Sequence, residues 1–80
     1  MDLDLESIIS LLQDVNENPD YENSTALVDN RELDSFDILS IISALDDEYD
    51  VSIPAREIVP ENFNSAQAIL ELVERLIDED

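Results

Sequence analysis

The sequence predicts an all-α fold, and three observations carry that prediction. Glycine is absent from all 80 residues, although ordinary usage of about 7% would supply roughly five or six. Sandwiches and barrels lean on glycine in their turns, so a β fold is disfavoured at once. Apolar residues recur at spacings of three and four in separate stretches, which marks one face of a helix. Hydrophobic residues make up 44% of the chain but aromatics only 5%, so the core must be built from Ile, Leu and Val. This length holds one domain, spanning 1–80. Such a domain buries only about 60% of its unfolded surface, so modest stability is expected.

The first helix is expected over 2–15. Leu5, Ile8, Ile9, Leu12 and Val15 share one face. Asp2 and Asp4 are its cap candidates and suit the positive end of the helix dipole. Asn16, Asn18 and Pro19 stop it. Residues 16–33 then lack sustained periodicity. A loop longer than about 12–15 residues in a compact domain is usually functional or disordered. This one reads as an ordered crossing anchored by Leu27, Val28 and Leu33, with a short helical turn at 23–28.

The second helix begins sharply. Asp34 is a good N-cap, and Asp37 stands three residues on, as in a capping box. Over 34–49, Ile38, Ile41, Ile42, Leu45 and Tyr49 fall on one face at roughly 100° per residue. Phe36, Leu39 and Ser43 form a second stripe that simple two-layer packing does not use. Residues 51–54 are extended, because Pro54 biases Ile53 away from helix. The stretch 55–63 holds one or two helical turns, with Ile58, Val59 and Phe63 as apolar contributors and Pro60 starting or interrupting helix. The last helix opens at Asn64 as cap with Gln67 three residues later. Its stripe is Ala66, Ile69, Leu70, Val73, Leu76 and Ile77, and Arg75 complements the dipole near its end. Residues 78–80 are expected to fray. The sum is a small bundle of three major helices, a short third helix and a long loop between the first two.

Composition excludes several functions. Twenty-two acids against three arginines give a net charge of −19, with no lysine. Such a surface repels nucleic-acid phosphates and anionic membranes. It suits proteins with basic patches, approached by electrostatic steering. There is no cysteine and no histidine, so disulfides, thiolate chemistry and the usual general base are missing. The start is acidic where a secretion signal is basic, and no apolar run approaches the ~20 residues of a membrane span. A soluble, cytoplasmic, monomeric protein that is not an enzyme is the expectation.

Ser35 is the residue with chemical potential. It is the first helical residue after the cap, where the side chain points to solvent. A phosphate ester there would lie near unpaired backbone N–H groups and the positive dipole end. Taken alone, the position is more often that of an ordinary first-turn serine. The neighbouring pattern adds to it: Leu33-Asp34-Ser35-Phe36-Asp37, an amphipathic helix, Leu45-Asp46-Asp47-Glu48-Tyr49, then Val51-Ser52-Ile53-Pro54. With the stretch from Pro60 to Ile69, this order and spacing resembles the acyl carrier protein family over most of the chain, including its D-alanyl carrier members.

The resemblance implies a four-helix carrier bundle and a covalent 4′-phosphopantetheine on Ser35, delivered from coenzyme A by a phosphopantetheinyl transferase that recognises Asp34 and uses Mg²⁺. It implies a thioester-linked acyl or aminoacyl cargo for lipid or secondary-metabolite synthesis, or D-alanine for teichoic acid modification. It assigns no catalytic residue. Phe36 and Leu39 would touch partner enzymes, which load and accept the cargo, while Asp37, Asp46, Asp47 and Glu48 meet their basic groups. The alternatives are that the long loop covers Phe36 and Leu39, and that the chain is an unmodified acidic interaction domain. Two departures point to a specialised member. Many relatives have Gly before Asp-Ser, whereas Leu33 stands here, so Arg31-Glu32-Leu33 must approach the helix without left-handed glycine geometry. Ser40 and Ser43 replace an acid and a large apolar residue common in fatty-acid carriers. No specific metal site is expected, since Asp46-Asp47-Glu48-Asp50 lacks the glycine and spacing of an EF-hand. Diffuse divalent association with clustered acids remains an expectation.

Overall fold

The computed structural model of the chain describes residues 3–78. Among them there are four α-helices, one 3₁₀ turn and no strand: α1 Leu5–Val15, α2 Ser35–Tyr49, the 3₁₀ turn Ala55–Glu57, α3 Pro60–Phe63 and α4 Ala66–Asp78. Three long helices, a short third helix and a long first connection therefore appear in the expected order. Asp2 and the last two tail residues lie outside the described residues.

Local chemistry sets the start of each long helix. Asp4 caps α1, accepting the Ser7 N–H at 2.8 Å. That hydrogen bond holds the Asp4 carboxyl below its ordinary pKa. Asn16 turns the chain extended at the other end. Asp34 caps α2 through a complete capping box with Asp37. Asp50 ends α2 in the left-handed conformation, which Asp tolerates better than most residues. The cap of α4 is Ser65, whose Oγ accepts the Ala68 N–H at 3.0 Å. The sequence pointed to Asn64 instead. That residue is diverted to the long connection, as described below.

The core is aliphatic. Ile8 and Leu12 of α1, Ile41 and Leu45 of α2, Leu27 of the connection, and Ile69, Leu72 and Val73 of α4 are almost wholly buried, with Phe63 beside them. Fully burying one such side chain contributes roughly 1.5–3 kcal/mol. Helix α1 packs against both α2 and α4, and α3 packs against α4. No polar or charged side chain is buried among the described residues. Three stripe assignments change. Leu72 belongs to the core, because α4 is covered on two sides and its buried arc spans roughly 160°. Ile77 and Leu5, near helix ends, are partly exposed.

The long connection is ordered but not helical. Instead of a helical turn at 23–28, it makes two turns, closed by Ser24 N–H to the Asp20 carbonyl and Asn30 N–H to the Ala26 carbonyl. The Glu32 and Leu33 N–H groups both donate to the Leu27 carbonyl, so the chain doubles back on itself. Leu27 and Leu33 are buried and Val28 half-buried, as expected, but Tyr21 and Pro19 are buried too. Arg31 has φ 60°. The left-handed geometry before α2 is thus present after all, and arginine rather than glycine adopts it.

Candidate functional site around Ser35

Ser35 is exposed in the first turn of α2. The capping box satisfies its flanking groups reciprocally: the Asp37 N–H donates to Asp34 Oδ1 at 2.9 Å, and the Asp34 N–H donates to Asp37 Oδ2 at 3.3 Å. Four N–H groups at a helix start lack intrahelical partners. The box occupies two and leaves those of Ser35 and Phe36 for other acceptors. An anion on the Ser35 oxygen would lie beside them at the positive end of a 15-residue helix.

A short network fixes this end of α2. Asn16, at the end of α1, donates through Nδ2 to Asp37 Oδ2 at 3.2 Å. Tyr21 in turn donates its hydroxyl to the Asn16 carbonyl. Burial of the phenol, with the charges of Asp37 and Glu32 nearby, raises the Tyr21 pKa to about 12. The neutral hydroxyl therefore stays a donor across the physiological range. Asp37 is half-buried and carries two of these hydrogen bonds, so its carboxylate is part of the site's frame.

Beside Ser35 lies an open apolar groove of about 280 Å³. One wall is Ser35, Ile38 and Leu39 of α2. Pro60 and the buried Phe63 of α3 line the groove too, together with Val28, Ile58 and Val59. The far wall is held by Glu57. Its carboxylate receives both Arg75 guanidinium nitrogens, at 2.9 and 3.0 Å, and its carbonyl accepts Asn62 Nδ2 at 2.7 Å. The Arg75 hydrogen bonds hold the Glu57 carboxyl below its ordinary pKa.

The outer face of α2 divides into tracks. At roughly 100° per residue, Ser35, Leu39 and Asp46 line the flank toward α3, and Asp46 stands about 16 Å further along the axis than Ser35. Phe36, Ser40, Ser43 and Asp47 form the crown. Glu48 falls on the opposite flank and, with Asp47 at the edge of the crown, lines a separate hollow together with Asp14 of α1. Phe36 is 79% exposed and Leu39 60%. The long connection covers neither. The structure thus brings Ser35, Asp34, Phe36, Leu39 and the groove together, and sets Glu48 apart from them. Among the described residues, no three His, Cys, Asp or Glu side chains form a metal cluster. No helix among them is long and apolar enough to cross a membrane.

Several site residues escaped the sequence reading. Ile58, Val59 and Phe63 were legible as apolar residues but not as groove walls, because no local signal says which helix they will face. Asn16 and Asn64 read as stop and cap residues, and their long-range partners leave no trace in local spacing. Comparison of the chain with family models, curated proteins and solved structures finds no match in any of the three.

Proposed function

We propose that the protein is a carrier of the acyl carrier type, holding a thioester-linked group on a 4′-phosphopantetheine arm attached to Ser35. One observation above all supports this: an exposed serine at a capped helix start, on the lip of an apolar groove. Ser35 would hold the arm, with the free N–H groups of the first turn beside the phosphodiester. When bound, the arm supplies the terminal thiol that carries the cargo. Asp34 fixes the turn that presents the hydroxyl and is the determinant a transferase would read. Phe36, Leu39, Asp46 and Asp47 form the surface offered to enzymes with basic patches. Glu48 can join only a partner that reaches around the crown. On this reading the chain brings no catalytic group of its own.

The groove favours an apolar chain over D-alanine as cargo. A methylene fully buried gains about 0.8 kcal/mol, and one laid in an open groove gains part of that. A D-alanyl group has a single methyl to offer, whereas a longer acyl chain gains several-fold more.

The reading is tested by intact mass after incubation with coenzyme A, Mg²⁺ and a broad-specificity phosphopantetheinyl transferase. The expected result is a single covalent addition that Ser35→Ala abolishes. No addition, or an equal addition to Ser35→Ala, would sink it. The exposed Phe36 and Leu39 also favour a second reading, an unmodified acidic interaction domain. That reading predicts that Ser35→Ala binds the protein's partners as the unaltered chain does.

A further inference from the structure

Asn64 makes hydrogen bonds that its place between α3 and α4 does not require. Its Oδ1 accepts the Val28 N–H at 3.0 Å and the Asp29 N–H at 3.1 Å. Its Nδ2 donates to Asp29 Oδ2 at 3.2 Å. Its backbone carbonyl accepts the Leu27 N–H at 2.8 Å. Four bonds from one residue therefore fasten a segment 35–37 positions away in sequence. The chemistry is specific to asparagine: two amides need an acceptor and the Asp29 carboxylate needs a donor. Aspartate would place a second carboxylate against Asp29, and alanine would leave three polar groups without this partner.

One of the fastened residues, Val28, lines the groove. The buried Phe63, the neighbour of Asn64, lines it as well. Between Val28 and the next buried residue of the connection, Leu33, the chain is exposed or half-exposed and includes Arg31 in the left-handed region. Val28 packs against the core, and the hydrogen bonds that tie residues 27–29 to another element go to Asn64. We infer that Asn64 is the positioning residue of the groove, a latch that holds Val28 in the same groove lining as Phe63 and so sets the length of apolar chain the groove accepts beside Ser35. The cargo role of the groove rests on the carrier reading; the latch itself does not.

The test uses the unmodified full-length protein. Amide hydrogen exchange is followed at Val28, Asp29 and, as a core reference, Leu45, while binding of a series of 1-alkanols is followed through the Val28, Leu39 and Phe63 side-chain resonances. In the unaltered chain, affinity should rise with alkanol length and then level off. Asn64→Ala should speed exchange at Val28 and Asp29 about tenfold and leave Leu45 unchanged, as expected for local opening on loss of a hydrogen bond. It should also move the levelling point to a longer alkanol. Asn64→Asp alone should act in the same direction. Combined with Asp29→Asn, it restores one donor facing one acceptor and should return both readouts toward their starting values.

The inference is overturned if Leu45 accelerates as much as Val28, if the levelling point stays put, if the double variant fails to rescue, or if no alkanol binds the unaltered chain. Because no readout depends on modification of Ser35, a failed latch and a failed carrier reading give separate results.

Discussion

Arg31 carries the sharpest local conflict in the chain. With φ 60° it occupies a region that costs an L-residue about 1–2 kcal/mol, and glycine, the usual solution, occurs nowhere in the sequence. The residue is exposed, so its side chain offers little packing in return. Arg31→Gly should remove the steric cost and give back about 0.5–1 kcal/mol through the looser unfolded chain. The net expectation is a stabilisation of about 0.5–1 kcal/mol, or a rise of roughly 2–8 °C in melting temperature for a domain of this size. Arg31→Ala controls for the lost charge, since it keeps the Cβ and the strain. A melting temperature that falls in Arg31→Gly, or rises equally in both variants, would show that the backbone at Arg31 is not strained. The conflict was invisible in the sequence because it arises where the connection doubles back onto Leu27, a contact no local pattern encodes.

At the scale of the element, legibility followed the range of the forces involved. Helix α2 was readable almost to the residue, because its capping box and its core stripe are both local features, and Ile38, Ile41 and Leu45 are buried as their spacing requires. The start of α4 was misread by one position, because Asn64 is recruited by Val28 and Asp29 and leaves the cap to Ser65. Leu72 was missed because a single-stripe picture assumes one packing partner, whereas α4 has two. The surplus stripe of α2 is exposed, and its Phe36 and Leu39 stand outside the core. Phe36 has little to lose from the folded state, so Phe36→Ser should change stability by less than about 0.5 kcal/mol. If Phe36 is an anchor for the transferase, the same change should lower kcat/KM for modification about tenfold, the loss expected on truncating an energetically important interface residue. An unchanged kcat/KM with an unchanged melting temperature would remove Phe36 from the partner surface.

At the scale of the whole molecule, the net charge of −19 should act on folding and on the proposed encounter with a basic partner with opposite signs. The molecule measures 32 × 25 × 18 Å. At about 0.01 M ionic strength the Debye length is roughly 30 Å, so acids on opposite sides still repel one another; at about 0.15 M it is roughly 8 Å and only neighbours interact. The melting temperature should therefore climb between these two conditions and flatten beyond them. Mg²⁺ at equal ionic strength should raise it further by diffuse accumulation, and titration calorimetry should show no unit-stoichiometry isotherm, in keeping with the absence of a three-ligand cluster among the described residues. An effect no larger than that of NaCl would reduce the divalent contribution to plain screening, and a saturating one-to-one isotherm would reveal a built site instead. Encounter with a basic partner runs the other way. Steering draws on the same field, so the association rate should fall steeply over the same interval while the fold becomes more stable. Stopped-flow association and thermal melts on the same samples separate the two. If association slows only as the melting temperature falls, the salt effect reports loss of the folded state. If association is indifferent to salt while stability rises, the acidic surface serves solubility alone.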